Sequence, residues 1–97
     1  MMSTLSEVPF TQYLRPSGRP ISIELPCSEE LKSSVEEIIK RGYRFEAEVL
    51  RTGEVSLTVS DGEQDLAIEL TSNGPEVLHA VNRLISRFAR RYLSNES

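Results

Sequence analysis

The feature that most constrains this chain is a regular alternation of apolar and polar side chains between residues 43 and 71. Apolar residues recur at every second position in three short runs, which is the period of a β-strand with one buried face. We therefore expect three strands that share a single apolar face. The residues expected to point inward are Tyr43, Phe45, Ala47 and Val49, then Val55, Leu57 and Val59, then Leu66, Ile68 and Leu70.

The lengths of the two loops between these strands agree with the alternation. Aligning the inward residues pairs Leu50 with Glu54, which leaves a three-residue loop with Gly53 in its left-handed position. Aligning the inward residues of the next two strands in the same way pairs Ser60 with Asp65 across a four-residue loop. Turns and face pattern together predict an antiparallel meander.

Two strands and two helices are expected around this meander. A turn at Arg15-Pro16-Ser17-Gly18 predicts a hairpin, and two stripes of apolar residues at helical spacing predict the helices. Cys27 or Ser28 is placed to cap the first helix, which Gly42 ends. The predicted bounds are Val8 to Leu14 and Arg19 to Leu25 for the strands, Ser28 to Arg41 for helix 1, and Asn73 or Gly74 to about Leu93 for helix 2.

The predicted fold is therefore an α+β two-layer sandwich with the element order ββαβββα. Its sheet is expected to be mostly antiparallel, with both helices packed on one face because every strand is one-sided. The length of 97 residues predicts a single domain. From the predicted elements we expect an ordered core of about residues 8–93, with frayed termini on both sides. The sequence patterns do not determine the order of the strands in the sheet.

Charge and cysteine content narrow the classes of function. Eleven basic and fifteen acidic residues give a net charge of −4, which repels nucleic-acid backbones and anionic membranes. The single cysteine, Cys27, excludes an internal disulfide and favours the reducing cytoplasm. No signal peptide and no apolar run of the ~20 residues needed to span a bilayer are recognisable. We expect a cytoplasmic protein without a membrane partner.

An acidic surface is expected on the face of the sheet that the helices leave bare. The alternation places Glu46, Glu48, Ser56, Thr58 and Glu69 on that side. This surface is either a docking site for a partner or a solvated polar face. Carboxylates that flank a serine across two strand spacings lie roughly 10 Å apart, too far to share a metal ion without bending inward.

A basic surface is expected on helix 2. Arg83, Arg87, Arg90 and Arg91 fall on one arc beside the apolar stripe, and the helix carries no acid from Val77 to Leu93. Three readings are open: a site for a protein partner, a nucleic-acid site, or structural pairing of these arginines with acids of helix 1. The acids available on helix 1 are Glu29, Glu30, Glu36 and Glu37.

The remaining reactive side chains form no recognisable catalytic set. Cys27 lies near a helix start but beside acids, and His79 is expected at the surface. With one histidine and one cysteine, the sequence argues against a zinc site or a Cys/His dyad in a single chain. Arg15 and Arg19 flank the first turn and form a minor candidate anion site. We therefore expect no metal, no cofactor and no enzymatic activity.

Four runs of the sequence carry a resemblance: Tyr13 to Arg19, Gly42 to Glu46, Thr52 to Thr58 and Asn73 to Pro75. They resemble short uncharacterised proteins of bacteria and their mobile elements, including phages. The resemblance covers most of the chain. It implies a bacterial or phage origin and carries no assigned activity.

The sequence thus favours a small non-enzymatic accessory module that acts by binding protein, either another chain or its own copy as a homodimer. Segregation of the basic helix from the acidic remainder is the motivating pattern. The alternative function is weak nucleic-acid binding through the arginines of helix 2.

Overall fold

The predicted element order is confirmed by a computed structural model, which describes residues 5–13, 19–72 and 74–93. The expected turn at Arg15 to Gly18 lies outside these residues. The elements are β1 (Leu5–Tyr13), β2 (Pro20–Ser28), a 3₁₀ turn (Glu29–Leu31), α1 (Lys32–Lys40), β3 (Arg44–Val49), β4 (Val55–Ser60), β5 (Asp65–Thr71) and α2 (Glu76–Tyr92).

The strands form one mixed sheet in the order β2-β1-β3-β4-β5. Strands β1 and β3 run parallel, whereas the other three pairs of neighbours are antiparallel. Because β1 lies between β2 and β3, the connection through α1 carries the chain past β1. Within the described part of the chain, β2 and β5 are the edges of the sheet.

One hydrophobic core lies between the sheet and the two helices. Burial of each large apolar side chain contributes about 1.5–3 kcal/mol, so this face supplies most of the driving force for folding. The α2 stripe forms the centre of the helical layer, and α1 contributes two buried residues. The core residues are Val8, Phe10, Cys27, Val35, Ile38, Phe45, Ala47, Leu57, Val59, Ala80, Val81, Leu84, Ile85 and Phe88.

The boundary between β2 and the first helix differs from the prediction. Strand pairing with β1 continues through Pro26 and Cys27, with Ser6 opposite Cys27. Proline is tolerated because β2 is an edge strand. Cys27 is therefore a buried strand residue rather than a cap, and the α-helix begins at Lys32 rather than Ser28.

Both loops of the meander have the predicted register. The Leu50 amide donates to the Glu54 carbonyl at 2.8 Å, and Gly53 has a φ of +95°, which favours glycine. Ser60 pairs with Asp65 across the four-residue loop. The predicted register is therefore confirmed as far as Asp65, the first residue of β5.

Beyond that residue the predicted facing of β5 is wrong. The register between β4 and β5 shifts at Val59/Ser60: Ser60 lies opposite Asp65, but Val59 lies opposite Ala67 rather than Leu66. This β-bulge adds one residue to β5, and because strand side chains alternate with a period of two, it reverses every later side chain. Ile68 and Leu70 consequently point away from the helices, and Glu69 points towards them.

Candidate functional site

The edge strand β5 presents apolar side chains to solvent. Ile68 is 48% exposed and Leu70 is 53% exposed, and both lie on the outer face, which the described helices do not cover. An edge strand also carries backbone groups that no neighbouring strand satisfies. The Ile68 carbonyl accepts a hydrogen bond from Arg87 Nη1 at 3.3 Å, so this carbonyl points towards the open edge. On β5, exposed apolar side chains therefore coincide with an edge whose Ile68 carbonyl is bonded to a side chain rather than to another strand.

The outer face beside β5 is polar and carries four of the five residues predicted there. One row across β3, β4 and β5 reads Glu48, Ser56, Leu70, and the next reads Glu46, Thr58, Ile68. Thr58 is only 8% exposed although it lies on the outer face. The predicted acidic surface is thus mixed, with two apolar residues on its β5 side where Ala67 and Glu69 were expected.

Glu69 instead joins the basic helix face. Its carboxylate accepts from Arg83 Nε at 3.2 Å and also from Arg87 Nη1. The Glu69 side chain is 11% exposed, whereas more than half of each arginine side chain remains exposed. Glu69, which was predicted on the acidic outer face, therefore pairs with two of the four predicted arginines on the helix side of the sheet.

A groove of about 380 Å³ lies between the start of β5 and the last turns of α2. Its β5 side is formed by Leu66 and Ala67, the two residues at the bulge. Its α2 side carries three of the four predicted arginines, Arg87, Arg90 and Arg91. The groove thus combines an apolar wall with a cationic one.

Aromatic contacts of Phe88 and Tyr92 stabilise the last turns of α2, which form one side of this groove. The rings of Phe88 and Tyr92 stack with centroids 4.5 Å apart, and Tyr43 contacts Phe88 edge-on at 5.0 Å. The Arg91 guanidinium lies 5.8 Å from the centre of the Tyr92 ring, and Arg41 Nη1 donates to the Tyr92 carbonyl at 3.4 Å. These contacts tie the end of α2 to the end of α1.

Structural pairing, one of the three readings of the α2 arginines, is made by Arg83 and Arg87 with Glu69 of the sheet rather than with the acids of the first helix. Glu37 pairs with Arg41 of its own helical segment at 2.8 Å. The Arg41 hydrogen bond holds the pKa of the Glu37 carboxyl below its ordinary value.

A second acidic position lies on the outer face at β1 and β2. A hydrogen bond between Glu7 and Glu24, together with the repulsion of the Glu24 charge, raises the pKa of Glu7. Repulsion between neighbouring carboxylates disfavours the ionised form of Glu7. Both residues are exposed, so this pair remains open to solvent.

The other predicted positions are not brought together. His79 is exposed on α2, as expected, and burial raises the pKa of the Cys27 thiol. Arg19 is exposed just before β2, whereas Arg15 lies outside the described residues, so their shared anion site stays a prediction. Within residues 5–13, 19–72 and 74–93, no three His, Cys, Asp or Glu side chains are grouped so as to hold a metal ion.

None of the helices in the described ranges combines the length and the apolar character needed to cross a membrane.

Two features of the site were not predicted. The first is the outward placement of Ile68 and Leu70, whose sequence signal is the apolar run Leu66-Ala67-Ile68 that interrupts the alternation. The second is the groove wall formed by Phe88 and Tyr92, which the sequence shows only as part of an apolar helical stripe. Neither signal identifies a binding surface before the sheet register is known.

Comparison with known proteins finds no matching family model, no similar curated protein and no similar solved structure. The resemblance to short bacterial and phage proteins therefore stays a prediction.

Proposed function

We propose that this protein is a non-enzymatic protein-binding module that acts in the cytoplasm by self-association through the open edge of β5. One observation carries the proposal: the bulge turns Ile68 and Leu70 outward on an edge strand. An exposed apolar edge is a template for pairing with another strand. Its single cysteine, which is buried, suits a reducing compartment.

A second copy of the chain suits this edge because antiparallel pairing can avoid a clash of like charges. When Ile68 lies opposite Ile68 of the second copy, Glu69 lies opposite Ala67 of that copy rather than opposite the other Glu69. Directly opposed like charges destabilise a strand pair. Stacking two outer faces would instead bring the Glu46 and Glu48 carboxylates of both copies together, so pairing at the edge is favoured.

Arg87 contacts the edge of β5 without blocking it. Its Nη1 contacts the Ile68 carbonyl, but a carbonyl oxygen has two lone pairs and accepts a second donor. The apolar contact is small compared with standard interfaces of roughly 1,600 Å². We therefore expect a weak, reversible dimer with two-fold symmetry.

Sedimentation velocity over a range of roughly 10 μM to 1 mM tests the proposal, because mass action reveals a weak dimer at the upper end. The wild type is expected to shift from monomer to dimer with concentration, and Leu70→Ser is expected to remain monomeric. Leu5→Ser is the matched control, since Leu5 is also a strand leucine and is 52% exposed. A wild type that stays monomeric, or equal weakening by both variants, would overturn the proposal.

A further inference from the structure

We propose a second binding site, independent of self-association: the groove between the first half of β1 and α1 binds a short basic segment of a protein partner as an added strand. The volume of this groove is about 350 Å³. Strands β3 and β4 separate β1 from β5, so the site is remote from the edge used for self-association. The exposed residues of its lining are Leu5, Glu7, Pro9, Lys32, Glu36 and Ile39.

The first half of β1 has an open edge on its β3 side. Strand β3 begins at Arg44 and, in the described part of the chain, pairs only with residues 11–13 of β1. Residues 5–10 therefore have no strand neighbour there among the described residues, although β1 as a whole lies between β2 and β3. Such an edge is a template for pairing with an extended chain.

The prolines of β1 and β2 show which backbone groups point to this open edge. Their pairs across the two strands are Glu7 with Pro26, Pro9 with Glu24 and Tyr13 with Pro20. Hydrogen-bonded and non-hydrogen-bonded pairs alternate in an antiparallel ladder, and proline has no N–H, so the odd-numbered positions of β1 form the non-hydrogen-bonded pairs. Their backbone groups point away from β2. Leu5 and Glu7 therefore present N–H and C=O groups to an added strand.

The charge of the groove favours a basic occupant. Two carboxylates, of Glu7 and Glu36, and one ammonium group, of Lys32, are among the described residues of its lining. Glu24 adds a third carboxylate, because it is hydrogen-bonded to Glu7. A cationic side chain placed beside Glu7 and Glu24 relieves the repulsion between them. Charge complementarity of this kind selects a basic segment over an acidic one.

Two exposed apolar side chains supply the remaining contacts. Leu5 of β1 is 52% exposed and Ile39 of α1 is 43% exposed, and both line the groove. An added strand gains affinity from main-chain hydrogen bonds and specificity from its alternating side chains, which here meet apolar and acidic positions. Because α1 bounds the far side, the groove suits a single extended segment rather than the edge of a second folded sheet.

Fluorescence anisotropy tests the site with a labelled peptide, acetyl-Lys-Val-Lys-Val-Lys-amide, at a protein concentration where the wild type is monomeric. The double variant Leu5→Ser and Ile39→Ser is expected to weaken binding at least about tenfold, because both apolar contacts are lost. Leu70→Ser, at a similarly exposed leucine of β5, is the matched control and should bind normally. Glu36→Gln should weaken binding at least about threefold, whereas Glu63→Gln in the exposed loop after β4 should not.

Two further measurements separate strand addition from charge attraction alone. A peptide that is N-methylated at its three central residues keeps its charge but loses amide donors, so it should bind at least about tenfold more weakly. In hydrogen exchange of the wild type, the amides of Leu5 and Glu7 should exchange more slowly when the peptide is bound. The amides of Ile68 and Leu70 should be unchanged.

Four results would overturn the proposal. These are no binding by the wild type, equal binding of the N-methylated peptide, equal binding of a peptide with glutamate in place of each lysine, and unchanged binding by the double variant. Leu5→Ser and Leu70→Ser separate this site from self-association. The first should weaken only peptide binding and the second only dimerisation, and loss of peptide binding by Leu70→Ser would contradict an independent site.

Discussion

Ser28 and Asn82 exchange two hydrogen bonds that join the end of β2 to the middle of α2. The Ser28 amide donates to Asn82 Oδ1 at 2.9 Å, and Asn82 Nδ2 donates to Ser28 Oγ at 2.9 Å. The two residues are 54 positions apart in the chain, so the pair holds α2 against the end of β2. It also satisfies the Ser28 amide just where the strand ends and the 3₁₀ turn begins.

Replacing Asn82 by alanine is expected to lower the free energy of unfolding by about 1–3 kcal/mol, the cost of leaving a partly buried amide without a partner. Urea denaturation followed by circular dichroism measures this change. His79→Ala, at an exposed position on the same helix, should stay within about 0.5 kcal/mol of the wild type. Equal effects of the two substitutions would show that the pair contributes nothing to stability.

Glu69→Gln tests the junction of the sheet with the basic helix face. The amide keeps the shape of the side chain but removes the charge that Arg83 and Arg87 share. We expect a loss of about 1 kcal/mol, since the arginines are more than half exposed and the pairs are screened by solvent. The loss should shrink with added salt. Glu63→Gln in the exposed loop after β4 is the control, and a loss independent of salt would contradict the electrostatic origin.

Ile68→Ser tests the bulge itself. If Ile68 pointed towards the helices, as the alternation predicts, its replacement would cost at least about 2 kcal/mol, as truncation of core side chains does. With Ile68 on the outer face we expect a loss below about 1 kcal/mol in the monomer. Leu57→Ser, at a fully buried position of β4, should be strongly destabilising or prevent folding. Thermal melts of the two variants provide the comparison.

Cys27 is expected to resist alkylation in the folded protein. The side chain is fully buried and burial raises its pKa, so both access and the thiolate fraction are reduced. Mass spectrometry after treatment with iodoacetamide should show slow modification that becomes fast in urea. Ser33→Cys, an exposed position on α1, supplies the control thiol in the same protein. Rapid labelling of native Cys27 would contradict its burial.

Asp61 should make part of the stability dependent on pH. Its Oδ1 accepts the amides of Gln64 at 2.9 Å and Glu63 at 2.8 Å, and these bonds hold the pKa of the carboxyl below its ordinary 3.8. Because the folded pKa is depressed, the stabilisation is complete above the unfolded pKa and is lost as pH falls through the folded one.

Asp61→Asn keeps an acceptor oxygen without this titration. The stability difference between wild type and variant, measured by urea denaturation, should therefore decrease between neutral pH and a pH below 3.8. A difference that stays constant over this range would contradict the assignment. Side-chain chemical shifts of Asp61 measured against pH give the same pKa directly.

Local signals in the sequence determined most of the elements. The alternation of β3 and β4, the loop ended by Gly53 and the apolar stripe of α2 each depend on neighbours within a few residues, and all three were predicted correctly. The two-layer arrangement also follows from them, because strands with one apolar face need a helical layer to cover it.

Tertiary structure alone decided the facing of β5, and with it the candidate sites. A bulge changes the number of residues between two paired positions, so counting from the loop predicts Ser60 opposite Asp65 but not Val59 opposite Ala67. Packing of α2 against the sheet then placed Glu69 within reach of Arg83 and Arg87. Contacts of this kind depend on distances in space between elements remote in the chain, which periodicity does not encode.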